Sequence, residues 1–398
     1  MCDVNMLGIE SQRYLQSPMS VMASGLSVLL IGVNIYGIIT NPEPYPLALV
    51  IVLLESFAVV GILLRRSRAL VYVILAIALT IHLFTFTQIV ANGTHDAGST
   101  RDDAVEVTAR ALLRGENAWN VNPGVPATTG PTSILLALPF VLLFGQINWL
   151  SFGFWIVFFL VLLWCDIKSR NDTWGVFVLF TLLGLFGLEH TLYWSLEELY
   201  YPILFFALAY VLALQRQEWG IGALMAAAVL SRTNYAFLLI GFGLWYVSRY
   251  SLDARSIVRI GLSFFITSVV ILAPFVLVGR EDLVSNNPWK HALGFSMANW
   301  PDTNVAFRAL NQMGTQLGAD LLRWLKLGVT LLLIFAVAWR LNLAKLSHPF
   351  WHVAAAGFIA HTVFWLPAYP WSRDYSLIFV LPAMLGIALT RTRVKLTA

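Results

Sequence analysis

Charge and cysteine are both scarce in this chain of 398 residues. Charged residues make up 12% of the chain and hydrophobic residues 59%, whereas soluble domains usually carry about 25% charged residues. A soluble core cannot absorb this much apolar surface, but a lipid bilayer can. Cys2 and Cys165 have no nearby partner and no metal-ligand spacing, which argues against a disulfide or a zinc site. The first apolar stretch lacks a small-residue cleavage site, so we interpret it as a retained span.

Most of the chain consists of long apolar segments. A membrane-crossing helix needs about 20 mostly apolar residues. The sequence predicts an all-α polytopic membrane protein with about 12 transmembrane helices, in one domain that covers residues 1–398. Two long polar segments fall outside these helices, a first external loop over 92–148 and a second over 280–321. The predicted spans lie near 21–40, 47–64, 69–91, 149–165, 174–188, 199–215, 219–231, 234–248, 257–279, 322–339, 350–367 and 375–390.

One further apolar stretch, Thr132–Gly145, is short and is interrupted by Pro139. If it does not cross the membrane, both termini are cytoplasmic, and most Lys and Arg residues of the short loops lie on that side. If it does cross, Arg216 and the arginines at 249, 255 and 259 move outside. The positive-inside rule favours the first topology and predicts a re-entrant or interfacial helix at this stretch. The net charge of +4 therefore reflects loop orientation and not nucleic-acid binding.

The first external loop contains the pattern of a short amphipathic helix. Ser99 and Thr100 precede Asp102 and Asp103 by three residues, which is a capping-box pattern. Gly115 is a suitable residue for the helix stop. Such a helix would lie on the outer membrane surface. Its apolar stripe would be Ala104, Val105, Thr108, Ala111, Leu112 and Leu113.

Two interpretations of Asp102 and Asp103 remain open at this point. They cap a helix and compensate its dipole, which requires no further function. Alternatively, one of them is a catalytic carboxylate, kept ionised by the helix N-terminus and able to accept a proton from an incoming hydroxyl. The two interpretations are compatible, because one Asp can cap while the other reacts.

The same loop resembles the GT-C superfamily of membrane glycosyltransferases, which take sugars from polyprenyl-phosphate carriers. The resemblance rests on Asp102–Ala104, on Leu112–Asn117 and on the Pro-interrupted stretch that ends at Leu143–Gly145. It covers about 50 residues of this loop. The similar proteins are the mannosyltransferases, the aminoarabinose transferases and the protein O-mannosyltransferases. The chain departs from the family pattern at Ala118-Trp119, where Pro-Tyr is usual, and in an extra N-terminal helix pair over residues 1–68.

The resemblance implies an inverting transfer to an acceptor hydroxyl at the extracytoplasmic face of a membrane, which we expect to be a bacterial inner membrane. Asp103 is the favoured general base, with Asp102 as the alternative and Asp96 in reserve. The expected partners are a polyprenyl-phosphate-linked sugar donor, membrane lipids, and a lipid, glycan or protein acceptor. No cofactor is certain, although the acidic pair leaves a divalent cation (Mg²⁺ or Mn²⁺) open.

The resemblance also suggests cations for the carrier phosphate. Arg232 ends a small-residue helix at a position where the family places a Lys or Arg, although an arginine there also fits a side chain that reaches an interface. Arg373 and Tyr375 precede the last predicted span, where the family often has an Arg and a Tyr. For Arg373, an ion pair with Asp374 is the alternative.

Further candidates lie in two external segments. Glu189 and Glu198 fall on a short outer turn and could bind donor or acceptor, but Glu198 could equally serve as an N-terminal dipole partner. Lys290 and His291 lie in the second loop, where an interfacial aromatic belt is the simpler interpretation. We expect His352 and His361 to be structural.

A transporter or lipid flippase is the alternative function. That class predicts internal repeats and charged or broken helices near the membrane midplane, and the sequence shows neither clearly.

Overall fold

The computed structural model describes residues 73, 80, 100–118, 130–147, 149–150, 153, 157, 160, 197–232, 235–250, 253–279, 319–344, 349–365 and 382. This part of the chain is 89% helical and contains no strand, as the predicted all-α class requires. The chain divides into two compact units. The first comprises Met1–Gln88, Ile156–Leu192 and Met384–Leu396, and the second comprises Ile89–Trp155, Tyr193–Ala383 and Thr397–Ala398. Every helix described below belongs to the second unit, and a single domain over 1–398 stays a prediction.

Eight α-helices and one π-helical segment make up the described part of the second unit. The last helix continues directly into the π-helical segment, Ala360–Trp365. In chain order the helices are α1 Thr100–Leu113, α2 Pro131–Phe144, α3 Glu197–Leu214, α4 Glu218–Ser231, α5 Tyr235–Arg249, α6 Ala254–Gly279, α7 Ala319–Leu343 and α8 Pro349–Ile359.

Helices α4 and α6 run parallel and in close contact. At their starts, Glu218 accepts a hydrogen bond from the Ser256 hydroxyl (3.2 Å) and lies 3.7 Å from the Arg259 guanidinium. One turn further along, a Cβ on Gly222 would clash with the backbone of α6, so the absent side chain lets the two helices approach each other closely. Helix α5 joins them and returns in the opposite direction.

Helices α7 and α8 extend this layer on the other side of α5. A Cβ on Gly241 would lie 2.6 Å from the His352 carbonyl oxygen, so glycine sets the distance between α5 and α8. The Asn342 carbonyl oxygen, near the end of α7, accepts from the Ser248 hydroxyl (3.1 Å) and lies 2.8 Å from His352 Nε2. These contacts bring the end of α5, the end of α7 and the start of α8 together at the same end of the helical layer.

One end of this layer is therefore basic. Arg216, Arg249, Arg255, Arg259 and Arg340 all lie at helix termini of this end. The opposite end is where α4 stops and α5 begins. Because α4 has 14 residues and α6 has 26, α6 continues beyond the end of α4 by roughly 15 Å, at about 1.5 Å per residue.

The pair α1–α2 packs against the part of α6 that extends beyond the end of α4. Phe275, on the protruding part of α6, is buried in one apolar cluster with Val105 and Ala109 of α1 and Ile134 and Ala137 of α2. At the last residue of α6, a Cβ on Gly279 would clash with the Asn117 side chain. Helices α1 and α2 thus cover the end of the layer that faces away from the arginines.

Two described helices are long and apolar enough to cross a membrane, Ala254–Gly279 and Trp324–Leu343. In the most apolar 18 residues of the first, only 11% are buried inside the protein, whereas the core helix of a soluble domain is mostly buried. Six predicted spans coincide with described helices to within a few residues, from 199–215 to 350–367. The other six spans lie almost entirely outside the described residues, and the number twelve stays a prediction.

Candidate functional site

The helix predicted in the first loop is confirmed as α1, and its position on the membrane surface stays a prediction. It starts at Thr100, so Asp102 and Asp103 lie in its first turn, as the capping-box pattern indicates. Their side chains lie outside the described residues. At the other end, Gly115 has φ +70° and donates to the Leu112 carbonyl (3.1 Å), while Glu116 N–H donates to the Ala111 carbonyl (2.9 Å). This pair of bonds is a Schellman motif with glycine in the left-handed position.

The residues of the predicted apolar stripe differ in burial within the protein. Val105, Thr108 and Ala111 are buried, whereas Leu113, the last residue of α1, is 43% exposed. The face of α1 against α2 and α6 is centred on Val105 and Ala109, and contact of the stripe with a membrane stays a prediction. Ala109 is fully buried although it was not assigned to the stripe.

An ion pair with a buried carboxylate and a half-exposed guanidinium fastens α1 to the end of α2. The Glu106 carboxylate accepts from Arg110 Nε (3.0 Å) and Nη2 (2.8 Å), and also from the backbone N–H of Ile147 (3.3 Å). Arg110 Nη2 also donates to the Gly145 carbonyl (2.6 Å). The Glu106 side chain is 7% exposed and that of Arg110 is 43% exposed. The pair therefore fixes both the rotation of α1 and its contact with α2.

Glu106 and Arg110 were not predicted as site residues. They are an acid and a base four residues apart with the acid first, which is the favourable order on a helix. That spacing was the available signal, but it is common on exposed helix faces. The position of the pair against α2 depends on contacts with Gly145 and Ile147, which are 35 to 41 residues away in the chain.

The stretch Thr132–Gly145 forms helix α2, from Pro131 to Phe144, and the helix continues through Pro139. Gly145 ends it with φ 72° and donates to the Val141 carbonyl (3.1 Å). With 14 residues, α2 is about 21 Å long, which is less than the roughly 30 Å of a bilayer hydrocarbon core. Helix α4, which coincides with a predicted span, has the same 14 residues, so an interfacial or re-entrant position of Thr132–Gly145 stays a prediction.

The start of α2 is joined to the end of α4. The Ser231 carbonyl accepts from Gly130 N–H (2.7 Å) and from the Ser133 hydroxyl (2.9 Å). A Cβ on Gly130 would clash with the Leu230 carbonyl oxygen. Only glycine fits between the two backbones at this point.

Arg232 follows this joint directly. It is 7% exposed, its backbone is extended, and its carbonyl accepts from Tyr235 N–H (3.1 Å) at the start of α5. The resemblance suggests Arg232 as a cation for the carrier phosphate. The described contacts place its backbone at the N-terminal end of α2, whereas Glu106, in the middle of α1, contacts the C-terminal end of α2. Because the side chains of Asp102 and Asp103 lie outside the described residues, convergence of Arg232 with this pair stays a prediction.

The other candidate residues lie wholly or partly outside the described residues. The backbone of Glu198 lies in the first turn of α3, as expected for an N-terminal dipole partner, but its side chain is outside the described residues. The remaining candidates lie outside the described residues altogether: Asp96, Glu189, Lys290, His291, Arg373 and Tyr375.

Within the described ranges, no three His, Cys, Asp or Glu side chains are grouped so that they could hold a metal ion. The carboxylates of Asp102 and Asp103 are not among the side chains described, so a divalent cation at that pair stays open. His352 is buried between α5, α7 and α8 and contacts Asn342, which agrees with the structural role predicted for it.

The pKa values of two exposed carboxyl groups are lowered. The Arg114 guanidinium donates to Glu116 (2.7 Å) and holds the pKa of that carboxyl below its usual value. Asp253, immediately before α6, accepts from Ser256 N–H (2.8 Å). Hydrogen bonding from Ser256, through its side chain and its backbone, lowers the pKa of Asp253.

Comparison of the chain with protein-family models, with curated proteins and with solved structures gives no match.

Proposed function

We propose that this protein is an integral membrane glycosyltransferase of the GT-C type. It transfers a sugar from a polyprenyl-phosphate-linked donor to an acceptor hydroxyl, with inversion, at the extracytoplasmic face. Asp103, or Asp102 beside it, is the general base. The acceptor is a lipid, a glycan or a protein.

The position of α1–α2 is the observation that carries this proposal. The arginine-rich end of the helical layer is the cytoplasmic end by the positive-inside rule. Helices α1 and α2 cover the opposite end, against Phe275 and Gly279. The acidic first turn of α1 then lies at the external membrane surface, where a lipid-linked donor meets an acceptor. The topology with both termini inside, and the bacterial inner membrane, belong to the same proposal.

The proposed transfer requires one general base and one leaving group. The acceptor oxygen attacks the anomeric carbon while the Asp carboxylate takes the hydroxyl proton. The bond from the anomeric carbon to the phosphate oxygen breaks, and its electron pair leaves with the polyprenyl phosphate. The phosphate gains one negative charge in this step, so a fixed cation beside it lowers the barrier.

Substitution of the acidic pair tests the base. Asp103→Asn is expected to lower kcat by 10²-fold or more, and Asp102→Asn to lower it less, because loss of a general base typically costs 10²–10⁴ in rate. The assay follows sugar release from a polyprenyl-phosphate donor in vesicles. Glu116→Gln, three residues beyond the C-terminal end of the same helix, is the control and should leave turnover unchanged. If the Asp102→Asn/Asp103→Asn double variant turns over like the wild type, the base is not in this pair.

A transporter or flippase is the second candidate, and one observation favours it. Lys326 lies within the membrane-length helix α7, with its ammonium 5.4 Å from the centre of the Phe364 ring. His361 precedes Phe364 by three residues, in the π-helical segment that follows α8. Ionisable residues and irregular helices at membrane depth are typical of transport pathways. Lys326→Met would abolish substrate movement across sealed vesicles if transport is the function, and would leave sugar transfer intact if the enzyme is the function.

A further inference from the structure

Arg216 occupies a backbone position that usually belongs to glycine. Its N–H donates to the Ala213 carbonyl (3.1 Å) at the end of α3. The next N–H, that of Gln217, donates to the Leu212 carbonyl (2.9 Å), which completes a Schellman motif. Arg216 is the left-handed residue of this motif, with φ 55°. Glycine is the usual residue there, because a side chain is strained in the left-handed region. The turn therefore does not account for the arginine side chain.

The Arg216 guanidinium lies over an aromatic surface at the end of α5. Its Cζ is 4.6 Å from the centroid of the Tyr250 ring. Tyr250 in turn contacts the rings of Tyr246 (4.9 Å) and Trp245 (6.1 Å). A ring against a guanidinium orients the planar group and leaves its N–H donors free for an anion. Arg216 is exposed, so these donors are accessible from outside the protein.

A second arginine lies beside the same ring. Arg249 directly precedes the tyrosine in the chain and is also exposed. The two described acids of this end are both engaged with α6, since Glu218 lies 3.7 Å from an arginine of that helix and Asp253 caps its first turn. Among the described residues, neither Arg216 nor Arg249 forms an ion pair with a carboxylate. Two guanidinium groups thus remain for an external anion.

Exposed apolar side chains occur at the same helix ends. Trp219 lies three residues after Arg216, and Val247 lies two residues before Arg249. Both are about half exposed. Aromatic and apolar side chains next to arginines are typical of the boundary between lipid headgroups and acyl chains. A phospholipid can contact both kinds of group at once, with its phosphate on the guanidinium groups and its acyl chains on the apolar side chains, whereas a free phosphate cannot.

We infer that Arg216, Tyr250 and Arg249 form a binding site for the headgroup phosphate of an anionic phospholipid. The guanidinium groups donate to the phosphate oxygens, and the tyrosine ring holds one of them in place. A net negative lipid is favoured because the site offers two cations. By the proposed topology the lipid lies in the cytoplasmic leaflet, whose surface is negative. This inference goes beyond the proposed function and does not depend on sugar transfer, which is proposed for the opposite end of the layer.

Native mass spectrometry of the full-length protein in detergent micelles tests the site, because it resolves each bound lipid and gives Kd for the first one. The wild type should bind phosphatidylglycerol at least about tenfold more tightly than the zwitterionic phosphatidylcholine. Arg216→Gly removes the guanidinium and supplies the residue that the backbone favours, so weaker binding is not a loss of fold. It should weaken phosphatidylglycerol binding about fivefold. Arg340→Gln, another exposed arginine of the same end, is the matched control and should stay within about twofold of the wild type.

Tyr250→Leu distinguishes a defined site from a general attraction between charges. It keeps both arginines and removes the ring, and it should weaken phosphatidylglycerol binding by roughly two- to fivefold, as loss of one cation–π contact implies. Wild-type affinity in this variant, or equal weakening in Arg216→Gly and Arg340→Gln, would overturn the site in favour of a diffuse basic surface. Equal affinity of the wild type for the two lipids would overturn it as well. Displacement of phosphatidylglycerol by an equal concentration of inorganic phosphate would indicate a site for a free anion and overturn the lipid assignment.

Discussion

Replacement of Glu106 by alanine should release α1 from α2. The buried Ile147 N–H would lose its acceptor, at a cost of about 1–3 kcal/mol. The half-exposed Arg110 can be rehydrated, so its loss of a partner adds little. The net cost is about 2 kcal/mol, which raises the opening constant of the α1–α2 contact roughly 30-fold, at 1.36 kcal/mol per factor of ten.

Amide hydrogen exchange of peptides that cover Val105–Leu113 measures this opening directly, because exchange protection reports local stability. Glu106→Gln keeps an acceptor for Ile147 and should lower protection only about threefold, on the order of the net value of one hydrogen bond. Glu116→Ala breaks an exposed pair and should leave protection within about twofold. Protection in Glu106→Ala within twofold of the wild type would refute the anchoring role of this carboxylate.

Three further predictions concern the helical layer. Gly241→Ala should destabilise the protein by about 2 kcal/mol, because its Cβ would meet the His352 carbonyl at 2.6 Å. Arg216 has φ 55°, so Arg216→Gly should be more stable than Arg216→Ala by about 1 kcal/mol. The pKa of Asp253 is lowered in the folded state. Its contribution is therefore fully present above the unfolded pKa of about 4 and is lost as the pH falls through the folded pKa.

Denaturation in mixed detergent micelles, followed by tryptophan fluorescence, measures all three. Gly243→Ala, two residues from Gly241 and open to solvent or lipid, is the matched control and should be neutral or up to about 1 kcal/mol stabilising. Equal stability of the two alanine variants would contradict the close packing of α5 on α8. For Asp253, the difference between the wild type and Asp253→Asn should shrink as the pH is lowered from 5 to the acid limit, and a constant difference would contradict the capping role.

Only the local features of the candidate site could be predicted from the sequence. The capping box and Gly115 act through residues three or four apart, so they predicted the start and the stop of α1. The ion pair between Glu106 and Arg110 is also local, but its burial depends on Gly145 and Ile147, which approach only when α2 folds back on α1. That Arg110 is held against Gly145 is a property of this tertiary contact.

The sequence by itself determined the helical class and, through the arginines at helix ends, which end of the layer is basic. These properties depend on composition and on periodicity within single segments. Tertiary structure decided which end carries α1–α2 and where Arg232 lies. The reason is that α4 stops short of α6 and that Gly130 fits against the end of α4, contacts between segments nearly a hundred residues apart in the chain. Long-range packing thereby placed the backbone of Arg232 at the N-terminal end of α2 and fixed Arg110 at its C-terminal end.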